Sequence, residues 1–142
     1  MEKHVNKGIL KNPELQQAIK KSEWNLGWTE VELQENLKDL EEFVRDLEID
    51  QDYLRATEEE NKWIEANKEE AQKIGLTGTK KEDIEKMRED IESTKTIVKQ
   101  INDELERLAS RRTSLQAEIE RFRDLEKRFK AILLKIKPEQ LQ

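Results

Sequence analysis

The sequence has 142 residues, of which 42% are Asp, Glu, Lys or Arg and only 34% are hydrophobic; it carries a net charge of −6, four glycines, two prolines and no cysteine. That profile belongs to long helices and coiled coils rather than to a domain with one large core, and the lack of cysteine excludes disulfides, thiolate metal sites and a cysteine nucleophile. The acidic balance disfavours non-specific nucleic-acid binding by the molecule as a whole.

Low hydrophobicity with high charge is also the signature of disorder, so periodicity decides between the two. The first fifteen residues contain no apolar run of the kind a signal peptide needs, and no stretch approaches about 20 consecutive apolar residues, so the expectation is a soluble, cytoplasmic chain with no transmembrane segment. His4, the only histidine, falls in this segment, where nothing supports a catalytic or metal-binding role.

Local signals then punctuate three helices. The first opens at Asn12-Pro13-Glu14, with Asn suited to the N-cap, Pro to the first helical position and Glu to the positive end of the helix dipole. It is expected to be short and to stop at Gly27, making residues 1–28 an N-terminal segment with a short helix. The second helix is expected from Thr29-Glu30-Val31-Glu32, a capping-box pattern, and no Gly or Pro follows before Gly75. Apolar residues recur at Leu33, Leu37, Leu40, Val44 and Leu47; the pattern weakens through Gln51, Leu54 and Glu58 and recovers at Trp63-Ile64, Ala71 and Ile74. A weak middle with shifted phase reads as a stutter in a coiled-coil seam.

Gly75-Leu76-Thr77-Gly78-Thr79 supplies a glycine C-cap, a turn at 75–79 and a candidate N-cap in Thr79. From Lys80 to Lys137 the chain again lacks Gly and Pro, and Pro138 ends the run, leaving 138–142 as a tail. One heptad row reads Ile84, Ile91, Val98, Leu105, Arg112, Ile119, Glu126, Leu133, and the other Met87, Thr94, Ile101, Leu108, Leu115, Phe122, Phe129, Ile136. Only Arg112, Glu126 and Thr94 break the apolar rows, so this segment is a heptad helix and not a disordered one.

A turn this short makes the two long helices antiparallel if they pack together. Residues 29–75 carry sixteen acidic and six basic residues, and 105–137 carry five acidic and ten basic, so the pairing sets opposite charges beside each other. The fold expected is all-α, an antiparallel coiled-coil helical hairpin over 29–137 with a short N-terminal helix at its open end. The alternative is a three-helix bundle. It arises if Ala109 to Ser114 breaks the third helix, with Thr113-Ser114-Leu115-Gln116 capping a fourth.

Two family resemblances bear on that choice. Tyr53-Leu54, followed by Trp63-Ile64-Glu65, a heptad helix, and the segment Arg121-Phe122-Arg123-Asp124-Leu125-Glu126-Lys127-Arg128-Phe129, resembles a spectrin repeat over residues 53–134, with Phe129 where that family usually has tryptophan. The resemblance implies a three-helix bundle and a spacing or scaffolding role at the cytoskeleton or membranes, although only 109–114 is left to form the loop between the family's second and third helices. Trp28-Thr29, Glu32-Leu33 and Asn36-Leu37, with Ile91 and Ser93-Thr94, are similar to the N-terminal three-helix domain of syntaxin-6-type SNARE proteins; no SNARE motif follows. That likeness implies a membrane-trafficking adaptor binding a SNARE or coat protein.

For chemistry there is little material. Glu58-Glu59-Glu60 is a solvated helix face, and Gly75 to Gly78 lacks the lysine and the preceding strand of a phosphate loop. The expectation is no enzyme activity and no cofactor. The aromatics say more: Trp24 and Trp28 are expected near Phe122 and Phe129 at the open end, buried in a three-helix base or anchoring a partner helix. Arg121-Phe122-Arg123 and Arg128-Phe129-Lys130 interleave cations with rings, but both rings occupy the seam, which favours a core role over nucleic acid. The function expected is a non-catalytic scaffold, spacer or assembly subunit. Its partner would be another coiled-coil protein or a second copy, met through Trp24, Trp28, Gln51, Leu54, Glu58 and Trp63.

Overall fold

The computed structural model describes residues 13–135, so the expectations for His4, the Asn12 cap, Ile136, the Pro138 stop and the 138–142 tail lie outside the described residues. Among the described residues the chain is all-α: α1 is Pro13–Ala66, α2 is Lys68–Lys73 and α3 is Lys81–Lys135. The two long helices pack against each other. The chain divides into two compact units, one built from the described residues of Met1–Gln34 and Glu106–Gln142, the other from Glu35–Leu105.

α1 differs from expectation at its start. Gly27 does not stop a short helix; α1 runs through it without a break, and Thr29 is an interior residue whose hydroxyl donates to the Asn25 carbonyl at 2.8 Å instead of capping. The reason is tertiary. Leu15, Ile19, Ser22, Thr29 and Leu33 are all buried and Leu26 is half-buried, one seam at alternating three- and four-residue steps, and burying that row outweighs the roughly 1 kcal/mol that a helical glycine costs. A methyl group on Gly27 would meet nothing within 4 Å. Gly27→Ala is therefore expected to raise unfolding free energy by about 1 kcal/mol in urea denaturation, since it relieves backbone entropy at no steric cost.

In the first unit the helices are antiparallel: Gln16 bonds Glu126, and Arg123 donates to Glu23 at 2.6 Å, so partner numbers fall as α1 numbers rise. Leu108 is 0% exposed and Ile119 is buried with it. Buried Ser22 and Thr29 keep the α1 seam small. Among the described residues no buried side-chain nitrogen or oxygen lacks a partner.

In the second unit the same sense holds: Arg88 donates to Glu58 at 3.2 Å, while Asn61 lies against Thr79. Seam positions continue at Asn36, Leu40, Val44, Leu47, Gln51, Leu54, Glu58, Asn61 and Ile64, all half-buried. Phe43 beside Val44 is also half-buried and Thr57 beside Glu58 is buried, so the seam broadens and shifts phase through this stretch, as a stutter does. Leu37, Trp63 and Ile74, read from the sequence as seam residues, are exposed.

Asn67 separates α1 from α2 with non-helical φ −131 and ψ 50, and its side-chain amide donates to the Trp63 carbonyl at 3.0 Å, a local bond that competes with the helix ladder. α2 closes in a Schellman motif: the Leu76 amide donates to the Ala71 carbonyl at 2.9 Å and that of Gly75, at φ 79, to Gln72 at 3.3 Å. The turn expected at 75–79 is thus present. Thr79 does not cap α3 as expected; the Lys80 carbonyl accepts the first helical bond, and the Asn61 side chain holds Thr79 by both its amide and its carbonyl, each at 2.9 Å. Gly78, also at φ 79, lies so near that a Cβ there would fall 2.8 Å from Asn61 Oδ1.

α3 is unbroken from Lys81 to Lys135, including 109–114. The fourth helix proposed to start at Thr113 is not formed; the Thr113 hydroxyl donates back to Ala109 at 3.1 Å. Every described residue of the two heptad rows is buried or half-buried except Arg112, which is exposed.

Candidate partner-binding surface

Each long helix uses one face for the seam, which fixes what its other face can do. At about 100° per residue, a residue two places after a seam position points to the far side of the helix. In the first unit Trp24, Trp28 and Val31 stand two places after Ser22, Leu26 and Thr29, and they face outward: Trp24 is 67% and Trp28 53% exposed. Their rings meet edge to face, centroids 6.0 Å apart at 70°. Gly27 lies between them with open space above it.

The expectation that Trp24 and Trp28 are buried beside Phe122 and Phe129 is therefore corrected. Both phenylalanines are half-buried on the α3 seam, while the tryptophans turn away from it. The cause is register. With Leu15, Ile19, Leu26 and Leu33 already filling the seam, residues two places on have no route inward.

In the second unit a similar row occupies the outer side of α1. Ile49, Tyr53, Ala56 and Trp63 follow Leu47, Gln51, Leu54 and Asn61 by two places; Ile49 is 59% and Tyr53 63% exposed, and Ala56 and Trp63 are exposed too. Asp46 precedes the row and Glu60 interrupts it between Ala56 and Trp63, both exposed. Of the residues expected to meet a partner, Trp63 belongs to this outer row, whereas Gln51, Leu54 and Glu58 lie half-buried on the inner side, with Glu58 paired to Arg88 at 3.2 Å.

No family model, characterised protein or solved structure matches the chain.

What the chain can do is carried by its own surface. Among the described residues the concave features include open grooves, such as the one lined by Glu23, Leu26, Ile119 and Arg123. Among the described residues no three His, Cys, Asp or Glu side chains converge as metal ligands, and no helix is long and apolar enough to cross a membrane. Arg107, Arg111 and Arg121 are exposed along one side of α3, but Arg112 lies about 100° round from Arg111 and Glu118 shares that side, so the cations form no uniform stripe for a phosphate backbone.

The exposed apolar rows are the candidate surface. Their signal was present in the sequence as the three- and four-residue steps 24, 28, 31 and 49, 53, 56, 60, 63. Val31, Ile49 and the open Gly27 were not recognised as members, because a second apolar row on a helix reads as noise around the first.

Proposed function

We propose that this chain is a non-catalytic coiled-coil scaffold or assembly subunit that joins proteins through the outward face of α1. The observation that carries this reading is the exposure of Trp24 and Trp28, two large rings in contact with each other and turned away from α3, which packs on α1 in their unit. Exposed tryptophans contribute nothing to the intrachain core, and tryptophan is the residue most enriched at the centres of protein interfaces. The steps of three and four residues between Trp24, Trp28 and Val31 fit a helix laid alongside, the recurrent mode in which an amphipathic helix is recognised.

The double variant Trp24→Ala with Trp28→Ala tests it. Helicity is expected to be unchanged and the unfolding free energy from urea denaturation to stay within about 0.5 kcal/mol of that of the original chain, as for surface substitutions. A photoreactive residue at Val31 is expected to give one discrete protein adduct in extract of the producing cells, and that adduct is expected to vanish in the double variant. Adducts that persist without the tryptophans, or a core-sized loss of stability, would contradict the reading.

A further inference from the structure

The outer row on α1 of the second unit is not only apolar. Its stretch before Trp63 reads Asp46, Ile49, Tyr53, Ala56, Glu60, an apolar centre with an acid at each end, and all five residues are exposed. Residues 35–66 carry twelve acidic side chains against four basic ones, so the surround is negative on balance. A helix that settles on this row must bring apolar residues to the middle and cations to the ends.

The first unit carries such a row. On α3, Arg121, Leu125, Arg128, Ile132 and Lys135 lie on one side of the helix and are all exposed. The steps along α3 are four, three, four and three residues; along α1 they are three, four, three and four. Read in opposite directions the two rows have the same spacing, as antiparallel helices require for layers to fall opposite one another. Asp46 then faces Lys135, Ile49 faces Ile132, Tyr53 faces Arg128, Ala56 faces Leu125 and Glu60 faces Arg121.

Each layer is chemically matched. Two join opposite charges and two join apolar side chains, with a small residue, Ala56, opposite the larger Leu125. The middle layer sets a guanidinium against a tyrosine ring, a favourable cation–π arrangement. Arg128 also holds Asp124 at 3.0 Å on its own helix, which neutralises an acid beside the basic row and leaves the guanidinium face available for stacking.

Resting on the proposed assembly role, we infer that the partner of the α1 row 46–60 is a second copy of this chain, which docks its α3 row 121–135 antiparallel along it. The contact is heterologous: two different surfaces meet, so each copy offers one of each. Charge complementarity selects the second copy as occupant, because α3 carries cations at the places the acidic row leaves for them.

The test uses charge reversal on each side, read as solution mass by multi-angle light scattering over a range of concentrations. The original chain is expected to rise above its 16.9 kDa monomer mass with concentration, and to fall back as salt is added. Asp46→Lys with Glu60→Lys, or Arg121→Glu with Lys135→Glu, each sets like charges opposite one another and is expected to weaken association by about tenfold or more. Mixing the two variants is expected to restore association, with the two variants alternating, since the unchanged rows fit each other and the two reversed rows are again opposite in charge. All four substitutions in one chain are expected to restore self-association. Circular dichroism checks that each variant keeps its helicity, and Asp46→Asn with Glu60→Gln gives a milder loss should reversal unfold the chain.

An original chain that stays monomeric at every soluble concentration would overturn the self-contact, as would variants that associate like the original or fail to complement when mixed. Those outcomes leave the assembly role to the Trp24 and Trp28 adducts, which are read independently.

Discussion

Ser114→Pro is expected to destabilise the chain by about 3 kcal/mol or more, because a proline inside a helix removes a backbone hydrogen bond and drives its ring into the carbonyl four residues back. Ser114 is exposed, so no side-chain packing changes and the effect isolates the backbone. The position is chosen because it separates two architectures. If Thr113 capped a new helix, residue 114 would be its first turn, where proline is favoured and the substitution would be neutral or stabilising. α3 is continuous there, with the Thr113 hydroxyl bonded back to Ala109 at 3.1 Å. Urea denaturation read by circular dichroism measures the difference through the midpoint at constant slope. A midpoint equal to that of the original chain would place a helix boundary at 109–114.

The second large effect is expected at Leu108. Its side chain is fully enclosed, and Leu108 and Thr29 are the largest fully buried side chains among the described residues. Truncation to alanine removes the buried methyl groups and leaves a cavity, at a cost of about 2–5 kcal/mol. In a seam where most positions are only half-buried there is little other enclosed apolar area to absorb that loss, and small proteins have a margin of roughly 5–15 kcal/mol in all. Leu134→Ala on the same helix serves as the control: at 88% exposure it is expected to change stability by no more than about 0.5 kcal/mol. Equal effects at the two leucines would mean that the heptad face of α3 has been assigned to the wrong side.

Most of α3 was legible because one signal acts alone there. Most of its apolar residues fall in two rows with strict heptad spacing, Pro and Gly are absent, and the described heptad residues other than Arg112 are indeed buried or half-buried, while Ile97, Leu125, Ile132 and Leu134 stand off that face and are exposed. The Gly75 turn was legible for a similar reason, since a left-handed backbone at φ 79 leaves glycine as the natural residue.

α1 was harder because local and tertiary preferences conflict in it. Gly27 and the Thr29–Glu32 pattern are helix-boundary signals worth about 1 kcal/mol each. Burial of Leu15, Ile19 and Leu33 outweighs them, but nothing in the local sequence shows that a facing helix will be there. α1 is also apolar on two sides, so periodicity alone does not show which row turns inward. Trp24 and Trp28, the bulkier row, look like core by size, whereas Ser22 and Thr29 are the residues enclosed. Thr29 enters the inside without penalty because its hydroxyl is satisfied by the Asn25 carbonyl.

One face of α1 is closed by its own chain and the opposite face is open. Because the sequence contains no cysteine, single thiols report this directly through their labelling rates. In dilute solution Val31→Cys and Ile49→Cys are expected to label rapidly and Thr29→Cys and Leu33→Cys slowly. When a partner occupies the outer face, the first pair is expected to become protected while the second is unchanged. The reverse order in the dilute chain, with 29 and 33 labelled first and 31 and 49 shielded, would show that the tryptophan face packs inward and would contradict the assignment of α1 as a helix with one closed seam and one docking face.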